Sequence, residues 1–151
     1  NVLLDGTMRH AVLSDFGIAQ RMSGTPSIDR SGTWRYMAPE VVWARHSAAA
    51  DVYSFALLLW TLAYAKRCFG EYKNYMQLVL LMQEDPYATR PPLLPPPCTD
   101  ADPEAPHTAE MAASGWEEIK TLLQDCWHGD PARRPVMRDV AACLSRCRPV
   151  L

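Results

Sequence analysis

Asp15 is the acidic side chain whose setting asks for chemistry. It interrupts the apolar run of VLSDFGIAQ, Val12 to Gln20, and stands directly before Phe16 and Gly17. A carboxylate there costs strand propensity and desolvation, so it needs a partner that favours a charge beside an apolar segment. Other chemistry-bearing residues give less. Cys68, Cys98, Cys126, Cys143 and Cys147 form an odd set with neither CxxC spacing nor matching histidines, which argues against a zinc site or a disulfide framework. Cys143 and Cys147 share a helical face at i, i+4, which could supply half a metal site; ordinary buried or surface thiols are the simpler reading. His10, His46, His107 and His128 share no spacing with acids or cysteines and are assigned no role. Trp34, Trp43, Trp60, Trp116 and Trp127 fit core packing better than ligand stacking.

The elements that must position Asp15 follow from local pattern. Val2 to Leu4 and Ala11 to Leu13 are short apolar runs, and the segment between them opens with Asp5-Gly6, a pair suited to the positive φ angles of a tight turn. They predict a β-hairpin with Asp15 just past its second strand. From Arg21 to Arg35 no period survives, which predicts a long loop. After Pro39 the chain reads as helical. Ser47 can cap a helix that runs through Ala65 and is apolar on nearly all sides, as suits a helix surrounded by others. Asn74 can cap a second, containing Met76, Leu78, Val79, Leu80, Leu81 and Met82. Eight of the 13 prolines fall between Pro86 and Pro106, which predicts an extended surface insertion, or a proline-rich ligand for an aromatic groove. Ser114 and Glu117 have the spacing of a capping box for the next helix, and a last helix is expected from Pro135 with Val136, Val140 and Leu144 on one face. The outline is mainly α: one hairpin, a long loop and about five helices.

The totals bound the function. The 151 residues suffice for one domain, with 48% hydrophobic and 21% charged residues. Fifteen Lys and Arg against 17 Asp and Glu leave a net charge of -2, so nothing here asks for nucleic acid or an anionic membrane. The most apolar stretch, Val52 to Ala65, is shorter than the ~20 residues of a membrane span. Cysteine usage favours a reducing, intracellular (cytoplasmic) compartment, leaving room for a membrane anchor in a longer protein. NVLLDG at the start has no initiator Met and no signal-peptide pattern, and reads as a chain cut into.

The landmarks taken in order resemble the C-terminal lobe of a eukaryotic protein kinase. Asp15-Phe16-Gly17 is similar to the DFG motif, Ala38-Pro39-Glu40 to the APE motif, and the loop between them to the activation segment. Asp51-Val52-Tyr53-Ser54-Phe55 resembles the start of the family's central buried helix, and CWHGDPARRP, Cys126 to Pro135, the turn near the domain's end. The departures are few: Ala56 stands where Gly is common, and the insertion around Pro91 to Ala113 is rich in proline.

The resemblance implies a role for each matching residue. Asp15 would hold Mg²⁺ bridging the phosphates of ATP, because a triphosphate concentrates negative charge and hard cations prefer oxygen ligands. Asn1 matches the last residue of HRDxxxxN and would help hold a second Mg²⁺. Phe16 would pack inward and fix Asp15, while Gly17 gives the backbone freedom to swing. Glu40 and Arg134 would form a buried ion pair, and Asp51 would anchor the catalytic loop. Gly32-Thr33 and Tyr36 in GTWRYMAPE favour Ser/Thr over Tyr substrates, with the Thr33 hydroxyl bonded to the catalytic machinery; the blocks from Asp51 and Cys126 resemble the tyrosine-kinase-like group. Ser23, Thr25, Ser27 and Ser31 are candidate phosphosites on the activation segment.

Residues 1–151 are therefore expected to be a partial kinase domain that lacks the N-terminal lobe and the HRD segment. No GxGxxG and no VAIK-like stretch occurs in them. The full domain would transfer the ATP γ-phosphate to protein Ser or Thr, and these residues alone would not do so efficiently. The alternative is a non-catalytic, pseudokinase-like binding module that docks partners near Tyr75 to Gln83 or through the proline-rich insertion. In isolation, the hairpin and Asp15 should expose apolar surface.

Overall fold

The computed structural model describes residues 1–7, 9–17, 19, 34–42, 47–73, 75–85, 90–93 and 116–147. The anticipated caps Asn74 and Ser114, nearly all of the proline-rich insertion, Trp43 and Cys98 lie outside the described residues.

Strands β1 (Val2–Leu4) and β2 (Ala11–Leu13) pair antiparallel with Val2 opposite Leu13, Leu3 opposite Val12 and Leu4 opposite Ala11. Backbone bonds continue the ladder at both ends, from Asp5 N to His10 O at 3.0 Å and from Ser14 N to Asn1 O at 2.9 Å. The connection differs from a glycine-driven tight turn, because Gly6 does not adopt positive φ. The Asp5 carboxylate organises it instead, accepting from the Thr7 hydroxyl at 2.8 Å and from the Arg9 and His10 N–H groups at 3.1 and 3.3 Å. Those donors, Thr7 foremost, hold the Asp5 carboxyl below the usual carboxylate range. All six strand residues are exposed.

The helical part is built around α2 (Ala48–Tyr64), after the short α1 (Pro39–Val42). Ala50, Val52, Tyr53, Ala56, Leu57, Trp60, Ala63 and Tyr64 are all buried, so more than one face of α2 is covered. Its broadest contact is with α4 (Trp116–Cys126), whose Trp116, Ile119, Leu122, Leu123 and Cys126 make one buried stripe at helical spacing. Glu117 and Glu118 in the first turn of α4 complement its dipole. The helix α3 (Tyr75–Glu84) buries Leu78, Val79 and Met82 but leaves Met76 and Leu80 exposed. The last helix, α5 (Met137–Arg146), packs on α4 and buries Val140. Fully burying side chains such as Leu57, Leu78 and Leu123 stabilises the fold by about 1.5–3 kcal/mol each.

Two helix ends depart from the sequence reading. Helix α5 begins at Met137 rather than Pro135, with Val136 extended at the cap and 62% exposed instead of lining the inner face. Arg134, which precedes Pro135, is held extended (φ -75, ψ 141), as residues before proline are, so helix cannot begin until the chain has passed that pair. Ser47 does stand at the N-cap of α2, but its side chain makes no capping bond, and only its carbonyl accepts, from Ala50 N at 2.9 Å.

At the other end of α2, Ala65 closes the helix in the left-handed conformation (φ 49, ψ 30), a position where a Cβ is a steric cost and glycine is preferred. Ala65→Gly should therefore raise stability by about 0.5–1 kcal/mol, seen as a higher urea midpoint with unchanged slope. An unchanged or lower midpoint would show that the left-handed cap is not strained.

Candidate functional site

The register of the hairpin decides which side chains meet at its open end. Val2 faces Leu13, so Asn1 falls opposite Ser14, and the bond from Ser14 N to Asn1 O places Asn1 next to Asp15. Asn1 and Asp15 thus lie at the same end of the hairpin. Asp15 itself has φ 61, in the left-handed region that Asp tolerates better than most residues. Its Oδ1 accepts a 3.4 Å bond from Gly17 N, folding the carboxylate back over the following turn. A Cβ on Gly17 would come within 3.3 Å of that oxygen. Gly17 therefore serves by leaving room for the carboxylate, and the unusual backbone angle belongs to Asp15 rather than to the glycine.

Phe16 corrects an expectation: rather than packing inward it is 67% exposed. The hairpin projects from the helical core, and among the described residues no apolar group covers it. Val2, Leu3, Leu4, Val12 and Leu13 are exposed with it, Leu13 at 68%. Asp51 is exposed in the first turn of α2 and forms no side-chain hydrogen bond with the described residues. The HRD segment it would anchor is not part of these 151 residues. Thr33, Ser23, Thr25, Ser27 and Ser31 lie outside the described residues.

Glu40 and Arg134, 94 residues apart, are brought together at the base of the fold. Nη1 and Nη2 of Arg134 donate to Oε1 and Oε2 of Glu40 at 2.5 and 2.9 Å. Nη1 also donates to Ala49 O at 2.9 Å, and Nε to His128 O at 2.8 Å, so four of the five guanidinium N–H groups are used. The Arg134 side chain is 0% exposed and that of Glu40 11%. The turn that presents Arg134 is itself capped: Asp130 Oδ1 accepts from Ala132 N at 2.9 Å at the start of a 3-10 turn, Pro131–Arg133.

Around this pair lie contacts that sequence patterning does not announce. Tyr53, fully buried, has the guanidinium carbons of both Arg134 and Arg90 5.0 Å from its ring centre. Burial pushes the Tyr53 phenol up to about 12 despite those two cations, so it stays neutral across the physiological range. Arg90 Nε donates to Trp127 O at 2.7 Å, which fastens the segment after α3 to the end of α4. The short 3-10 turn Trp34–Tyr36 is likewise held from below. Arg35 stacks 3.9 Å over Trp34 and donates from Nη2 to Tyr72 O at 2.8 Å, and Ser54 Oγ donates to Tyr36 O at 2.7 Å. Arg35 stands between two aromatics in the sequence and Arg90 does not, and the hydrogen-bond partners of both lie more than 30 residues away.

Among the described residues no three His, Cys, Asp or Glu side chains cluster for a metal. Magnesium does not need such a cage, since it commonly takes one or two protein oxygens with phosphates and water completing the shell. Asn1 and Asp15 are both exposed at this end of the hairpin.

Residues 1–143 match the protein kinase domain family. The chain is 35% identical over 147 residues to receptor-interacting serine/threonine-protein kinase 3 of Rattus norvegicus, covering 92% of this chain and 28% of that protein. It is 30% identical over 150 residues to receptor-interacting serine/threonine-protein kinase 4 of Mus musculus, with 94% and 17% covered. It is 31% identical over 153 residues to LysM domain receptor-like kinase 10 of Oryza sativa subsp. japonica, with 95% and 24% covered. The chain thus spans less than a third of the length of these relatives.

The buried ion pair gives a stability test. Arg134→Met leaves the Glu40 carboxylate without its counterion and should cost roughly 3–5 kcal/mol, while the double variant with Glu40→Leu should recover part of that loss. Denaturant titration of the four proteins of this cycle measures it, and additive single losses would show that the two charges are not coupled.

Proposed function

The chain belongs to the protein kinase family, and from that premise we propose that it is the C-terminal lobe part of a catalytically competent Ser/Thr kinase domain. What supports this reading is the open end of the hairpin, where the backbone pairing brings Asn1 and Asp15 to the same end and both are exposed. In the complete domain these two side chains would hold Mg²⁺, which would supply positive charge to offset the negative charge that builds on a transferred phosphoryl group. Asp15 binds and orients through carboxylate oxygens that Gly17 leaves uncrowded. The left-handed backbone at Asp15 turns that carboxylate back over the DFG turn. Thr33 and the clamped turn at Trp34–Tyr36 favour a Ser or Thr hydroxyl in a protein substrate.

The same reading gives the exposed apolar hairpin and Phe16 a purpose, as a surface covered by the nucleotide and the smaller lobe. Ser23, Thr25, Ser27 and Ser31 are proposed phosphosites, since a phosphate can order a loop by pairing with arginine. No described helix is long and apolar enough to cross a membrane. A cytoplasmic location for the domain fits the cysteine usage and the ATP requirement.

The test uses the longer protein with both lobes, ATP, Mg²⁺ and a Ser/Thr protein substrate. The wild type should label the substrate and Asp15→Ala should lower the rate about a hundredfold or more. Full activity in Asp15→Ala would overturn the metal role. A wild type that neither binds magnesium nucleotide nor labels any substrate would leave a binding module instead.

A further inference from the structure

Cys143 and Cys147 have no part in the proposed phosphoryl transfer, yet the fold places them together. Helix α5 ends at Arg146, and Cys147 forms its C-cap (φ -76, ψ 2), with Cys147 N donating to Cys143 O at 3.1 Å. Both side chains therefore lie one above the other on the same face, and both pack with Leu144 against the edge of the core. Cys143 and Cys147 are adjacent on that face, four residues apart, with no other cysteine on the helix. Both are free and only partly buried, whereas Cys68 and Cys126 are buried. We propose that Cys143 and Cys147 are a thiol modification site, a dithiol at the closing turn of α5 that converts reversibly to an intramolecular disulfide by exchange with a low-molecular-weight disulfide of the glutathione class.

The exchange balances without another reactant. One protein thiolate attacks a sulfur of the small disulfide, breaking its S–S bond, forming a mixed disulfide and releasing one small thiolate. The second protein thiolate then attacks the protein sulfur of that mixed disulfide, forming the Cys143–Cys147 bond and releasing the other small thiol. Two electrons pass from the protein dithiol to the small disulfide, and the two protons end on the released thiols.

Helix geometry sets what must move. Side chains at i, i+4 have Cβ atoms about 5–6 Å apart, and a disulfide needs about 3.5–4.5 Å, so the last turn must tighten by about 1–2 Å. Such an adjustment is cheap where Cys147 sits, beyond the last helical residue, and would be costly within the body of α5. Burial holds the Cys147 thiol above its ordinary value, and Cys143 and Glu118 of α4 add to that while Arg146 opposes it. Cys126 is 1% exposed and so closed to the small disulfide.

The experiment incubates the native chain with a series of oxidised-to-reduced glutathione ratios, blocks remaining thiols with N-ethylmaleimide and maps the product by mass. Arg146 lies between the two cysteines, so trypsin separates them into two peptides that stay joined only when bridged. The wild type should lose both alkylation sites together and give that joined pair, dissolved by reductant. Cys143→Ser and Cys147→Ser should each stop at the mixed disulfide and accumulate at least tenfold more of it than the wild type. The idea is overturned if the native wild type accumulates as much mixed disulfide as either variant. It is also overturned if the bridge appears only in guanidinium, where the helix is absent, an arm that needs no variant to fold.

Discussion

An arginine with none of its side chain exposed is the constraint that organises this molecule. A buried guanidinium left without its counterion and most of its acceptors would be strongly destabilising, so the elements around Arg134 must supply them. The Glu40 carboxylate comes from α1, the Ala49 carbonyl from the first turn of α2, and the His128 carbonyl from the turn after α4. One side chain thereby fixes three parts of the chain that are far apart in sequence. Extended backbone at Arg134 is part of the same solution, and it is also why α5 starts only at Met137. Tyr53 fills the space beside the guanidinium with an aromatic face, and Arg90 brings a second cation to that ring.

The helical base can therefore be firm while the hairpin is sparsely supported. Helix α2 is enclosed by α4 and by the turn at Trp34–Tyr36, and its buried residues account for much of the core. Among the described residues the hairpin has its own ladder and the Asp5-centred loop, and every strand residue is exposed. A two-stranded hairpin alone is marginal in water, so a further surface must pack on it for Asp15 to be held rigidly. This polarity suits a metal site completed by ligand, in which the protein contributes few oxygens and the phosphates supply the rest.

Much of this was legible before any coordinates. The two strands fall where the apolar runs put them, and the long buried helix begins after Ser47 and ends at Ala65, because periodicity and composition report burial directly. Local chemistry was harder to read. Asp5-Gly6 suggested positive φ, but the Asp5 side chain does the turning, a hydrogen-bond choice that a dipeptide does not disclose. Phe16 and Val136 were expected inside and are outside, since apolar type does not say whether a partner surface is present. Glu40 and Arg134 could be paired in advance only through the family resemblance, for no periodic signal spans 94 residues. Arg90 and Arg35 were missed for the same reason: both work through backbone carbonyls, which have no sequence identity.

The most direct trial of the proposed metal-binding edge is spectroscopic. In the two-lobed protein, Mn²⁺ substituted for Mg²⁺ in the presence of a non-hydrolysable ATP analogue should broaden the amide resonances of Asn1, Asp15 and Gly17 beyond detection while those of Arg134 and Val140 persist. Uniform broadening, or none at the hairpin end with nucleotide bound, would contradict the placement of the cation against Asp15.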